Sequence, residues 1–329
     1  YVNMGFKKNS EKVLVIAQTY SNILGEDQEK RVRESFKCAD VMCQVMNRDG
    51  AKCDFLTYSP SEPRNGADAP KEIYDDVARY NPDVVFMPTA YSLSHTGFRR
   101  MMTEKGIRVA SMPTFTLEMF AKDGPCSSDQ KEMTRLTKET YQKLKESRLV
   151  RVIGPYTDVT IELDPELSHM SDGILTGKGE WGNLPGAESY NVPKHLGHSN
   201  GIITIPRGWG GPFGLEHTIH FDIVNGLFHN PRPKQHTADS TRYVEEKIKP
   251  LMFGKGKDGF NVLAELGIGT NPAITQRYIE SHGFSILLAE KVYGTAHFAN
   301  GNSKGMGGKN DVPVHIDWVV PNTIIEYIK

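Results

Sequence analysis

The sequence predicts an α/β N-terminal domain, a parallel sheet flanked by helices, followed by a mainly antiparallel, α+β C-terminal domain. Three observations carry this expectation. Up to about residue 150, short apolar runs alternate with helical patterns, the grammar of a parallel sheet with crossover helices. From about residue 151, apolar and polar residues alternate singly between Gly- and Asn-containing turns, as antiparallel strands require. A length of 329 residues exceeds one typical domain, and the change of pattern places the two at 1–150 and 151–329.

The elements of the first half follow in order. Lys12-Val-Leu-Val-Ile16 reads as a buried strand. A helix follows from about Asp27 to Arg48, because Val32, Phe36, Ala39, Cys43 and Met46 recur at spacings of four and three and so share one face. Gly50 supplies its stop. Cys53–Tyr58 is a second strand, Pro60 to Pro70 a loop rich in Pro, Gly and Asn, and the stretch into Arg79 a helix. Asp83–Met87 is a third strand, Gly97 to Lys105 a helix, and Arg108–Met112 a fourth strand. A long helix from about Ser128 to Ser147 opens on a Ser-Ser-Asp cap region and leads out of this domain.

In the second half, Asp158–Leu163 and Gly201–Pro206 alternate as half-buried strands, and Asp172-Gly173, Gly182-Asn183, Gly210-Gly211 and Asn225-Gly226 read as turns. One helix, about Ser240 to Lys249, interrupts the pattern.

Composition excludes several function classes. Apolar residues make up 38%, charged residues 24%, and the formal net charge is -1, so no global field attracts nucleic acid or an acidic membrane. No apolar run approaches the roughly 20 residues of a membrane span. Cys38, Cys43, Cys53 and Cys126 form no CxxC pair and read as reduced core thiols of a cytoplasmic protein.

Five residues in the second half have the chemistry of metal ligands. His315-Ile316-Asp317 sets an imidazole and a carboxylate two residues apart, which on a strand puts both on one face. His297 lies between a strand-like run and a Gly-rich stretch, and Gly305, Gly307 and Gly308 let the chain fold back towards His315. Glu188 and Glu265 sit among apolar, Gly and Pro residues, where a carboxylate needs a cation: a metal, or a structural Arg or Lys. Glu290-Lys291 reads either as a catalytic pair or as a surface ion pair.

Other candidates carry less. On a strand, His217 and His220 would point to opposite faces and so make poor co-ligands. Trp181, Trp209 and Trp318 fit core packing or an apolar pocket, and Ser94-His95 fits a helix cap or domain interface better than a nucleophilic pair without its acid.

Taken together, Asn183–Pro193, Ala264–Pro272, Glu290-Lys291 with Gly294–Gly301, and Gly307–Asp317 resemble, in order, the aminopeptidase T / aminopeptidase S family of metalloaminopeptidases. Ser94-His-Thr96 and Arg108–Thr116 extend the likeness more loosely into the first half. The resemblance implies a homodimeric enzyme with two divalent metals (zinc, cobalt or manganese) that removes N-terminal residues from short peptides. Its ligand pattern falls on Glu188, Glu265, His297, His315 and Asp317, with Glu188 assigned as the shared carboxylate. Glu290 would be the general base or a ligand holder, and Lys291 the oxyanion donor. In longer members a tyrosine follows the first His seven positions on; here Lys304 stands there. The scaffold is shared with 2,5-dihydroxypyridine dioxygenases, whose single Fe(II) is held by two His and a carboxylate and whose substrate is a small molecule. His297, His315 and Asp317 would make such a set, although that pattern has a His where Glu265 stands.

Overall fold

A computed structural model describes residues 2–19, 25–60, 62–211, 214–282 and 284–329. The chain forms two compact units, Tyr1–Ser127 with Gly173–Gly186, and Ser128–Asp172 with Ala187–Lys329. The first unit begins with β1 (Lys12–Gln18), α1 (Glu26–Arg48), β2 (Lys52–Tyr58), α2 (Lys71–Tyr80), β3 (Val84–Met87), α3 (Gly97–Glu104) and β4 (Arg108–Ser111). The chain then enters the second unit with α4 (Gln130–Glu146), β5 (Leu149–Gly154) and β6 (Thr157–Ser171), and returns to the first for β7 (Trp181–Asn183). It completes the second with β8 (Glu188–Pro193), β9 (Asn200–Ile205), β10 (Ile219–Val224), β11 (Leu227–Pro233), α5 (Ala238–Tyr243), α6 (Lys249–Met252), β12 (Leu263–Gly269), α7 (Gln276–His282), α8 (Ile286–Ala289), β13 (Ala296–Gly301), β14 (His315–Val320) and β15 (Ile324–Ile328).

The first unit is a five-stranded parallel sheet, order β2-β1-β3-β4-β7. β1 and β3 read as apolar runs, and β4, with Arg108 and Ser111 at its ends, is buried throughout, because all three are central and covered on both faces. Leu14, Ile16, Val85, Met87 and Val109 of the strands close a core with Ile73 and Val77 of α2 and Phe98 and Met102 of α3. Thr96 caps α3 by accepting from the Arg99 N–H, and Ser94 Oγ bonds Ser111 Oγ (2.8 Å) and Asn183 Oδ1 (3.0 Å). The Ser94-His95 segment thus serves as cap and sheet-end tie within this unit.

Trp181-Gly182-Asn183 departs from expectation. It is an edge strand rather than a turn, in register with Val109–Ser111 of β4. Turn propensity at Gly-Asn yields to pairing with a partner more than 70 residues away, information that local composition does not hold. Cys38, Cys43 and Cys53 are buried and free, as expected of core thiols, whereas Cys126 is free and exposed.

The second unit is an antiparallel sheet, order β11-β10-β9-β6-β8-β12-β13-β14, with β5 joined to β6 and β15 to β5. β6 runs far beyond Asp158–Leu163 because the register shift between Leu163 and Ser168 absorbs Pro165, which has no N–H for the ladder. Asn225 (φ 49°) and Gly226 (φ 76°) form the hairpin turn between β10 and β11. Asp129 caps α4 through the N–H groups of Lys131 and Glu132. The predicted helix near Ser240–Lys249 appears as α5, a wider π turn at Val244–Ile248, and α6. Pro250, lacking an amide hydrogen, breaks the regular ladder there.

One face of the sheet is apolar core: Phe221 packs on Trp318 (4.9 Å between ring centroids) and Phe228 (5.5 Å). Trp318 Nε1 donates to Asn300 Oδ1 at 2.6 Å, and Trp209 is buried as well, so both are core residues. No helix among the described residues is long and apolar enough to cross a membrane.

Candidate metal centre

Strand alternation builds the site. Tyr190 on β8 pairs with Gly267 on β12, which pairs with His297 on β13. Ala299 and Gly301 of β13 pair with Asp317 and His315 of β14. With side chains alternating, Glu188, Tyr190, Glu265, His297, His315 and Asp317 all leave the same face of four adjacent strands. Leu266, Ile268, Phe298 and Trp318 leave the other and are fully or almost fully buried. Between the functional side chains stand Gly267, Gly269, Ala299 and Gly301, and their small size clears the floor.

Two of these glycines set close approaches. A Cβ on Gly267 would lie 2.1 Å from both Cε1 and Nε2 of His297, so only glycine seats that ring. A Cβ on Gly269 would lie 2.1 Å from Val292 O and 2.8 Å from Glu290 O; the backbone carrying Glu290 and Lys291 crosses directly over it.

The five predicted ligands converge. Glu265 lies between the imidazoles, its Oε1 3.2 Å from His297 Nε2 and its Oε2 3.2 Å from His315 Nε2. Asp317 Oδ1 is 3.4 Å from His315 Nε2, and Glu188 Oε2 is 3.5 Å from His297 Nε2. Ligand atoms of Glu188, Glu290 and His297 lie within 4.8 Å of one another, as do those of Glu265, His315 and Asp317. Glu265 joins the two triads, and of the acidic residues it alone approaches both imidazoles among the described ion pairs; Glu188 approaches His297.

Glu290 and Lys291 are no surface pair. Lys291 is 1% exposed, its Nζ 2.6 Å from Glu188 Oε1 and 3.2 Å from Glu290 Oε1. Lys304 is exposed and pairs with Asp311, so it contributes nothing to the site. His217, in a bend ahead of β10, bonds Asp239, and His220 on β10 bonds Thr204 Oγ1, so the two share no partner.

The donor set fits a divalent metal on two grounds. Four carboxylates (Glu188, Glu265, Glu290, Asp317) face one ammonium, Lys291, so with neutral imidazoles the cluster carries a formal charge of about −3 in a largely buried setting. His315 also has the usual posture of a ligand: Nδ1 hydrogen-bonds the Asn302 carbonyl at 2.8 Å, which orients Nε2 towards Glu265 and Asp317. Among the described residues His297 Nδ1 has no hydrogen-bond partner.

Without a metal, protons take the place of the cation. Burial opposes a charged imidazole at His297, yet the Glu265 hydrogen bond and the charges of Glu188, Glu265 and Glu290 carry its pKa up to about 9. Burial likewise opposes charge on His315, but Asp317 and Glu265 raise it well above its ordinary value. Burial would raise Glu265, but hydrogen bonds from both imidazoles hold it far below the usual carboxylate range. Burial pushes Glu290 up to about 8, with Lys291 opposing and Asp317 and Glu188 adding. Burial disfavours the charged Lys291, but Glu188 and Glu290 raise it overall.

A pH dependence follows for metal-stripped protein. A raised folded-state pKa gives stability that is complete below the unfolded value and lost as pH climbs through the folded one. For His297 that window runs from 6.5 to about 9, and Glu290 acts in the same direction from 4.5 to about 8. The melting temperature of the stripped protein is therefore expected to fall between pH 6.5 and 9, and much less after zinc is added; equal slopes with and without zinc would count against the cluster.

Sequence reading missed Tyr190, which no motif marks. Its ring stacks on His169 at 5.1 Å, and His169 Nε2 is 2.9 Å from the Met306 carbonyl. Burial, then Glu265 and Glu188, push its phenol up, so it stays protonated. The available signal was its spacing, two residues after Glu188 on an alternating strand.

No family model matches the sequence, and no curated protein matches it. Solved structures do match. A 2,5-dihydroxypyridine dioxygenase from Pseudomonas putida KT2440 superposes with a TM-score of 0.70 at 15% identity, over 97% of this chain and 88% of that one. AmpT from Thermus thermophilus superposes with a TM-score of 0.60 at 15% identity, over 99% and 92%. The chain is therefore built on a scaffold shared with these two proteins.

Proposed function

We propose that the chain is a divalent-metal-dependent hydrolase that releases N-terminal residues from short peptides and acts as a homodimer in the cytoplasm. The carrying observation is the buried constellation of Glu188, Glu265, Glu290, His297, His315 and Asp317 around Lys291. The AmpT match agrees with the sequence resemblance to aminopeptidase T. Glu188, Glu290 and His297 would hold one cation, His315 and Asp317 another, with Glu265 reaching both groups. Bound there, zinc, cobalt or manganese would supply Lewis acidity to water and to a peptide carbonyl.

The chain's own groups have distinct tasks. Glu265 sets one carboxylate oxygen beside each imidazole Nε2 and so supplies negative charge to both groups of donors. Glu290, buried and held as the carboxylate beside Lys291, takes a proton from water and returns one to the departing amine. Lys291 neutralises Glu188 and Glu290 and fixes their orientation. His315 and Asp317, with side chains 22% and 18% exposed, form the open side through which a peptide enters.

A second reading is a mononuclear Fe(II) dioxygenase acting on a dihydroxylated ring, favoured by the higher TM-score of that match. Two imidazoles and Asp317 would suffice for it. Glu265 between those imidazoles and the extra pair Glu188–Glu290 weigh towards the hydrolase. The test is to load stripped protein separately with zinc, cobalt, manganese and, anaerobically, Fe(II). Amino-acid release from short peptides without oxygen uptake is the expected result. Oxygen uptake with 2,5-dihydroxypyridine, and no peptide cleavage under any metal, would reverse the assignment.

A further inference from the structure

A further polar group on the ligand face is the hydroxyl of Tyr190. Its strand places it on the ligand face, two residues from Glu188 and across Gly267 from His297. The stack on His169, itself held by the Met306 carbonyl, fixes the ring. Among the described residues the hydroxyl has no hydrogen-bond partner, and the charges acting on it are those of Glu265, Glu188 and Lys291. The resemblance assigned the oxyanion donor to Lys291. That ammonium is engaged between Glu188 and Glu290, and its charge is already answered by two carboxylates.

Resting on the hydrolase reading, we propose that Tyr190 is a catalytic residue whose O–H donates a hydrogen bond to the carbonyl oxygen of the scissile amide as that oxygen becomes negative. The step balances within the substrate, water and Glu290. The water oxygen bonds to the carbonyl carbon while its proton passes to Glu290, and the C=O π pair moves onto oxygen, where Tyr190 donates. When that pair returns, the C–N bond breaks and the amine takes the proton from Glu290. A neutral phenol suits the task because it is a donor that no carboxylate here already occupies. Gly267, which pairs with both Tyr190 and His297, sets no side chain of its own between them.

The experiment compares wild type with Tyr190→Phe, which keeps the ring and its stack. Zinc per chain is measured by elemental analysis, cleavage of L-leucyl-p-nitroanilide by rate, and binding of a leucyl phosphonate dipeptide, a tetrahedral oxyanion mimic, by calorimetry. The expected result is unchanged zinc and melting temperature, kcat lowered about 100-fold with little change in KM, and phosphonate affinity weakened by a similar factor. Wild-type kcat and phosphonate affinity in the variant would overturn the proposal, as would a loss of zinc, which would mark a structural role. If zinc-loaded wild type neither cleaves the anilide nor binds the phosphonate, the hydrolase reading fails and the donor role falls with it.

Discussion

Replacing Glu265 by glutamine is expected to strip the protein of metal. Each carboxylate oxygen now faces one imidazole Nε2 at 3.2 Å, and a carboxamide of the same shape would turn N–H groups towards a ligand nitrogen. The change removes one negative charge from the residue that joins both triads. Zinc affinity should fall by at least about 100-fold, beyond the usual cost of changing an outer partner of a metal ligand, and peptide cleavage should fall with it. Stability is affected too. Glu265 is buried against two imidazoles that hold protons in the absence of metal. Deleting it as Glu265→Ala leaves those charges poorly paired, a change that costs about 3–5 kcal/mol for a buried pair. Elemental analysis and chemical denaturation of both variants check this. Wild-type zinc content in Glu265→Gln would show that the carboxylate is not a ligand.

Gly267→Ala is expected to be almost as damaging, although glycine carries no functional group. The added methyl would meet the His297 ring at 2.1 Å, so the ring must swing away from Glu265 and Glu188. Overpacking of this kind costs about 1–3 kcal/mol, and the larger effect is loss of His297 from the donor set. Gly305→Ala is the control, because a Cβ there has nothing within 4 Å; its stability should stay within about 0.5 kcal/mol of wild type. Equal zinc affinity in Gly267→Ala and Gly305→Ala would contradict the seating role.

The outcome of reading the chain from sequence depended on whether the signal was local. β1, β3 and α1 were legible because burial on two faces, or on one stripe, leaves a continuous or periodic apolar pattern. His315 and Asp317 were legible as a same-face pair, since strand alternation requires nothing beyond their spacing. β7 was not, because its pairing with β4 is a long-range event. The depth of Lys291 was not either: lysine is almost never fully buried, so adjacent Glu and Lys suggest the surface until strand crossing over Gly269 carries them inside. Glu188 was expected to be the shared carboxylate; the geometry sets Glu265 between the imidazoles, a distinction that depends on register across β12, β13 and β14. The small residues that clear the site floor carry no chemistry and become meaningful only beside the rings they admit.

The most direct measurement is anomalous diffraction at the zinc edge from zinc-soaked crystals. One or two peaks are expected on the ligand face of the second unit, within about 2.0–2.2 Å of His297, His315 and the Glu265 carboxylate. A crystal with no peak there, or with zinc only at surface histidines such as His217, would contradict the proposed centre.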